Sequence, residues 1–434
     1  MSHEELLARH REVLPSWMAL YYEEPIALER GEGRTVWDAE GNTYLDFFGG
    51  ILTTMTSHAQ PEVVAAVQEQ AAKIMHSSTL YLIEDQIALA EEVAELSGIP
   101  DAKVFLTTSG TEANELALLL ACTARRSNQV LAMRNSYHGR SFATMGITGN
   151  RGWSASSLTP VNVHYVHGGY RYRSPFRELD DDAYIAACVD DLRDVLATQT
   201  AGDVACLVAE PIQGVGGFTH PPDGLYGALA EVCREHGILL VSDEVQTGWG
   251  RTGDRFWGYE HHGYTPDVLT FAKGIGNGLS MGGVVARAEL MDSVTANSIS
   301  TFGGNPLTCA GARANLRVLR RDDLPGNARK QGELLAQRLH EAVEPLACVG
   351  DVRGKGLMLG VELVRPGTGD PGEPAPELTS KVLEATKGRG LLIGKGGLHG
   401  NVLRITPPLS VTAEETERGA AALADALAEA GASA

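Results

Sequence analysis

The stretch Leu239-Leu240-Val241-Ser242-Asp243-Glu244-Val245-Gln246-Thr247-Gly248 decides the reading of this chain. An apolar run ends on an acid there. Thirty residues past Asp243, a second run, Val268-Leu269-Thr270-Phe271-Ala272, delivers Lys273 into Gly274-Ile275-Gly276. A buried charge without a partner costs on the order of several kcal/mol, so a core strand rarely ends on a bare carboxylate. The economical partner is a protonated ring nitrogen, and a lysine held nearby is an amine able to bond an aldehyde. Taken singly, Asp243 reads as an ordinary cap and Lys273 as a surface lysine.

Upstream, Val104-Phe105-Leu106-Thr107 runs into Thr108-Ser109-Gly110-Thr111, and residues 112–121 carry a helical pattern. Ser109, Gly110 and Thr111 therefore stand at a helix start, where free N–H groups and the helix dipole favour an anion. An ordinary N-cap needs one hydroxyl; two hydroxyls and a glycine make a phosphate cup. An acidic anchor, a lysine and a phosphate cup together meet the needs of pyridoxal 5'-phosphate.

Further motifs follow in order: Trp37-Asp38, Gly41-Asn42-Thr43-Tyr44-Leu45-Asp46, Tyr137-His138-Gly139, Glu210-Pro211-Ile212-Gln213-Gly214, Thr301-Phe302-Gly303-Gly304-Asn305-Pro306, Gly350-Asp351-Val352-Arg353-Gly354-Lys355-Gly356-Leu357 and Arg404-Ile405-Thr406-Pro407-Pro408. With them the chain resembles the class III, fold-type I, pyridoxal-phosphate-dependent aminotransferases over nearly its whole length. Phe256-Trp257-Gly258, residues 272–278 and residues 352–359 are most similar to the mitochondrial-type alanine–glyoxylate branch of that family.

The resemblance implies a role for each matching residue. Lys273 bonds the cofactor aldehyde and then moves the proton between the amino-acid Cα and the cofactor. Asp243 keeps the ring nitrogen protonated, Gln246 bonds the phenolic oxygen, Val245 packs under the ring and Tyr137 stacks over it. Ser109, Gly110 and Thr111 hold the phosphate of one subunit. Thr301 reaches the phosphate of the other, so a homodimer with shared sites is expected, with a dimer of dimers left open. Arg404 takes the substrate carboxylate through its bidentate fork, and Ile51 borders the substrate side chain. Glu210 is either an orienting or a purely structural group, and His138 is given no catalytic role.

One departure bears on the substrate. Family members acting on ornithine or 4-aminobutyrate carry a glutamate able to mask the carboxylate-binding arginine, where this chain has Val215. An unmasked Arg404 favours L-alanine or a similar small amino acid with glyoxylate or pyruvate. β-Alanine, 3-aminoisobutyrate or another ω-amino donor, and a decarboxylating reaction such as dialkylglycine decarboxylation, are the alternatives. Thr56-Ser57-His58 also departs, since relatives usually show glycine before the histidine.

Composition bounds the partners. The 434 residues carry 36 Lys and Arg against 55 Asp and Glu, a net charge of −19. That balance argues against nucleic acid or an anionic membrane surface as partner, and it requires a local positive site for anionic substrates. Six scattered cysteines without CxxC spacing read as buried thiols, with no metal set. The charged, helix-like residues 1–14 lack the apolar core of a secretory signal, so a cytoplasmic location is expected.

Alternating apolar strands and amphipathic helices from 61 to 306 predict an α/β fold, a large cofactor-binding domain with a mainly parallel sheet flanked by helices. Residues 1–60 are expected to join residues 307–434 in a smaller α+β domain. Within these, a hairpin is predicted around Glu40-Gly41-Asn42, one long helical pattern to about residue 346 and a strand at 356–364. Residues 168–182 read as a surface insertion.

Overall fold

The computed structural model describes residues 3–432. Seven strands form the central sheet, in the order Ala102–Thr107, Gly282–Arg287, Val268–Phe271, Leu239–Asp243, Cys206–Ala209, Gln129–Met133, Asn162–Val166. Pairing is parallel from Val268–Phe271 to Asn162–Val166, while Gly282–Arg287 runs antiparallel to both of its neighbours.

The strand period explains how both faces are covered. Val130 and Ala132 pack with Ala113, Ala117 and Leu120 of the helix Gly110–Arg125 on one face. Their neighbours Leu131 and Met133 pack on the other face with Leu192 of the helix Asp181–Thr198 and Leu229 of the helix Leu225–Glu235. A strand covered twice is apolar throughout, and every residue of Gln129–Met133, Cys206–Ala209 and Val268–Phe271 is buried.

Two four-stranded sheets are built from the chain ends. Leu28–Glu32, Thr35–Asp38 and Thr43–Asp46 form a meander, and Leu391–Leu392 joins it parallel to Thr43–Asp46. Val349–Lys355, Met358–Leu363, Val402–Ile405 and Gly394–Gly396 form an antiparallel sheet. The mainly parallel sheet and the smaller α+β part agree with expectation.

Three local expectations are corrected. The single helical pattern is two helices, Pro306–Arg321 and Leu324–Ala342. Asp323 breaks it: its φ is +45° and its side chain caps the second helix through the Gly326 N–H. A further strand, Val349–Lys355, precedes the expected one and pairs with it through a glycine-rich hairpin. Residues 168–182, expected as a surface insertion, are buried or half-buried at 168–174 and exposed at Pro175 and at their far end, 178–182. Tyr170 and Arg173 reach the side chain of Glu362, which is fully buried.

All six cysteines are free and all but Cys122 are buried. Among the described residues, no helix is long and apolar enough to cross a membrane.

Candidate active site

The parallel strands direct their carboxyl ends to one side, and the loops there enclose a cavity of about 340 Å³. It is lined by Ser109, Gly110 and Thr111 from the helix start, by Tyr137, by Asp243, Val245 and Gln246 from one strand end and by Lys273 from the next. Eight of the residues singled out in the sequence thus meet at one place.

Asp243 is 3% exposed. Its Oδ2 accepts from Asn114 Nδ2 at 2.7 Å and lies 2.7 Å from His138 Nδ1, and its Oδ1 accepts from the Val245 N–H at 3.1 Å. The carboxylate is thereby clamped on one flank. Burial alone would lower the His138 pKa, but the hydrogen bond and charge of Asp243 leave it raised.

Lys273 follows its strand directly and holds a left-handed backbone, φ +48°, a conformation a side-chain-bearing residue adopts at a cost. Burial pulls its amine down from 10.5 to about 8, and Asp243 and Glu210 oppose that pull only in part. A neutral amine is therefore accessible near neutral pH. Glu210, just beyond Cys206–Ala209, accepts the N–H groups of Tyr137 and Gly214, each at 2.8 Å. Burial pushes its carboxyl up to about 7.

The helix Gly110–Arg125 opens with Ser109 Oγ accepting the Glu112 N–H, which leaves the N–H groups of Gly110 and Thr111 free of capping. Gly110 is required by proximity: a Cβ there would stand 3.0 Å from both methyls of Val245. Gln246 packs against Gly214, and its Oε1 is shielded with no hydrogen-bond partner.

Arg404 lies behind the cavity wall and is 2% exposed. Its guanidinium donates to the carbonyls of Lys395 and Gly214 and to the Tyr21 hydroxyl, and among the described residues it forms no ion pair with a carboxylate. Phe48 and Phe218 face it at 5.1 and 5.5 Å. Val215 is buried beside it, as Gly214 O is the acceptor. Ile51 and Thr301 do not line the cavity. Ile51 is 43% exposed with φ +66°, and Thr301 is exposed on a loop.

Two lining residues gain a partner that the sequence did not reveal. His138, given no catalytic role above, and Asn114 are held to Asp243 across 105 and 129 positions of chain, and no local pattern signals such a pairing. Arg140 carried a usable signal, a cation three residues past Tyr137. It is exposed, it lies close enough to act on the Tyr137 hydroxyl, and it sits 5.5 Å over Trp17.

Residues 19–427 match the family model described as aminotransferase class-III. Alanine–glyoxylate aminotransferase 2 homolog 2, mitochondrial, of Arabidopsis thaliana is 39% identical over 419 residues, 96% of this chain and 86% of that protein. A 5-aminovalerate aminotransferase of Pseudomonas aeruginosa is 37% identical over 98% of both chains. Among solved structures, an (S)-enantioselective omega-transaminase from Thermomicrobium roseum superposes with a TM-score of 0.91 at 33% identity over 99% of both chains. A family match across nearly the whole chain, on a fold that gathers an acid, a lysine and a phosphate cup at one cavity, places this protein among the class-III aminotransferases.

Proposed function

We propose that this aminotransferase exchanges an amino group between a small α-amino acid, L-alanine foremost, and a small 2-oxo acid such as glyoxylate or pyruvate. Class-III aminotransferases depend on pyridoxal 5'-phosphate, and the residues fit it. The helix start offers free N–H groups to a phosphate, Asp243 offers a clamped carboxylate to a ring nitrogen, and the unpartnered Gln246 Oε1 could accept from a phenolic O–H. When bound, the cofactor supplies an electron-withdrawing ring that makes the Cα proton of the donor removable.

The chain's own groups do the rest. Lys273, neutral for part of the time, takes and returns the proton at Cα. Asp243, backed by His138, holds the proton on the ring nitrogen. Tyr137 and Val245 confine the ring from its two faces and limit water. Arg404 orients the substrate carboxylate, and Thr301 completes the phosphate site of a second subunit, which makes the working form a homodimer.

The observation that carries the substrate class is Arg404: a buried guanidinium without a carboxylate partner is charge held ready for an anion. Cofactor-loaded protein should lose its visible absorption band on addition of L-alanine and regain it with glyoxylate. An unchanged band with alanine sinks the proposed donor.

A second reading is favoured by Arg140. An exposed arginine in no ion pair beside Tyr137 would suit a carboxylate held away from the amine, as in β-alanine, 3-aminoisobutyrate or a longer ω-amino acid. Bleaching by β-alanine but not by L-alanine selects it. The six free cysteines suit a reducing compartment, and we place the protein in the cytoplasm, although the Arabidopsis relative is named as mitochondrial.

A further inference from the structure

A second cavity, of about 710 Å³, lies at the free edge of the central sheet, beside the outermost strand Asn162–Val166. Its lining brings together Arg134, Arg173, His164, His167 and His399 and includes no aspartate or glutamate. Glu362 offsets the charge of Arg173, and burial lowers the pKa of His167 and His399, so Arg134 is, among the described residues, the unpaired cation of this wall. In a chain of net charge −19 a cation beside a concavity concentrates small anions locally.

Two acids stand behind the wall, each held by a lining residue, and neither reaches Arg134. Glu362 accepts from Arg173 Nε at 2.6 Å and from Arg353 Nη1 at 2.9 Å. Asp191 accepts the backbone N–H of His167 at 2.8 Å. Arg134 is exposed and, among the described residues, enters no ion pair. His164 Nε2 is shielded from solvent and has no hydrogen-bond partner. A shielded polar atom of this kind calls for a partner, and in its N–H tautomer it would donate to an oxyanion.

We propose that this cavity binds a small dianionic oxyanion, gripped by the Arg134 guanidinium and hydrogen-bonded by His164. The site is separate from the cavity at Gly110, and no residue lines both; hydrogen bonds tie it to the loop that holds Arg404. The Arg134 carbonyl accepts from Gln213 Nε2 at 2.7 Å, and Asn135 Nδ2 donates to the Gly216 carbonyl at 3.0 Å. Both partners lie in the loop whose Gly214 carbonyl holds Arg404.

Calorimetric titration of the cofactor-loaded protein with inorganic phosphate, and separately with succinate, tests the site. Binding in the millimolar range is expected, weakened about ten- to a hundredfold by Arg134→Gln, as for loss of a charge-assisted hydrogen bond. Transamination by that variant should be unchanged. Preference for phosphate assigns a phosphoryl ligand, and preference for succinate a dicarboxylate. Absence of heat from both ligands, or equal affinity in the wild type and the variant, overturns the proposal. On the wild type itself, the preferred anion should slow modification of Arg134 by phenylglyoxal, read by peptide mass spectrometry, and lack of protection overturns it equally.

Discussion

At Lys273 burial and charge pull in opposite directions, and burial wins. The amine sits at about 8, against an ordinary 10.5. Between those values the unfolded chain binds a proton that the folded chain has released, so this group's contribution to stability rises with pH across that window. Reductive methylation of Lys273 in cofactor-free protein should half-saturate near pH 8, with surface lysines reacting only at higher pH. Titration of Lys273 together with the surface lysines would refute the depressed amine. At Arg404, replacement by glutamine should lower kcat/KM for a carboxylate-bearing donor by about ten- to a hundredfold, the worth of one charge-assisted pairing. An amine lacking the carboxylate should be turned over as before. Asp243 and Lys273 were legible because each ends an apolar run, so position along the chain carried the chemistry. His138 was not, because its meaning lies in an atom 105 residues away.

The helix Gly110–Arg125 ties secondary structure to cofactor binding. Gly110→Ala places a methyl 3.0 Å from both Val245 methyls, so Val245, which lines the same cavity, must give way. Cofactor affinity should fall about tenfold, equivalent to about 1.4 kcal/mol, and fluorescence titration with pyridoxal 5'-phosphate measures it. Unaltered affinity would show that the contact relaxes freely. Elements were legible wherever one physical rule dominated, as in the mostly apolar, fully buried strands Gln129–Met133, Cys206–Ala209 and Val268–Phe271. They were misread where two rules competed. Residues 307–346 keep a helical period throughout, yet Asp323 and Pro325 stop one helix and start another. Residues 168–182 look polar because the acid that Tyr170 and Arg173 satisfy, Glu362, belongs to a distant strand.

For the whole molecule, the exposed apolar side chains bear on the proposed homodimer. Leu80 and Tyr81 are each 70% exposed, Leu82 is 94% and Phe302 is 61%, next to Thr301. Apolar exposure on this scale marks an interaction surface. Light scattering should therefore return a multiple of the 46.2 kDa chain mass, twice it for the dimer. Phe302→Glu should shift the protein toward monomer and reduce transamination together. A fully active monomer would remove Thr301 from the proposed site. The two chain ends meeting in smaller sheets were expected in outline, but the strand Leu391–Leu392 has only two residues and no period to read.

That short strand has a consequence for synthesis. Leu391 pairs with Leu45, 346 positions earlier (391 minus 45). On the ribosome, Thr43–Asp46 must wait for almost the entire chain before its sheet closes, a long-range pairing of the slow kind. Arg404 emerges later still, after every residue that lines the cofactor cavity. A nascent chain therefore completes the helix start at Gly110 and its lysine first, and receives the arginine proposed to orient amino acids only as translation ends.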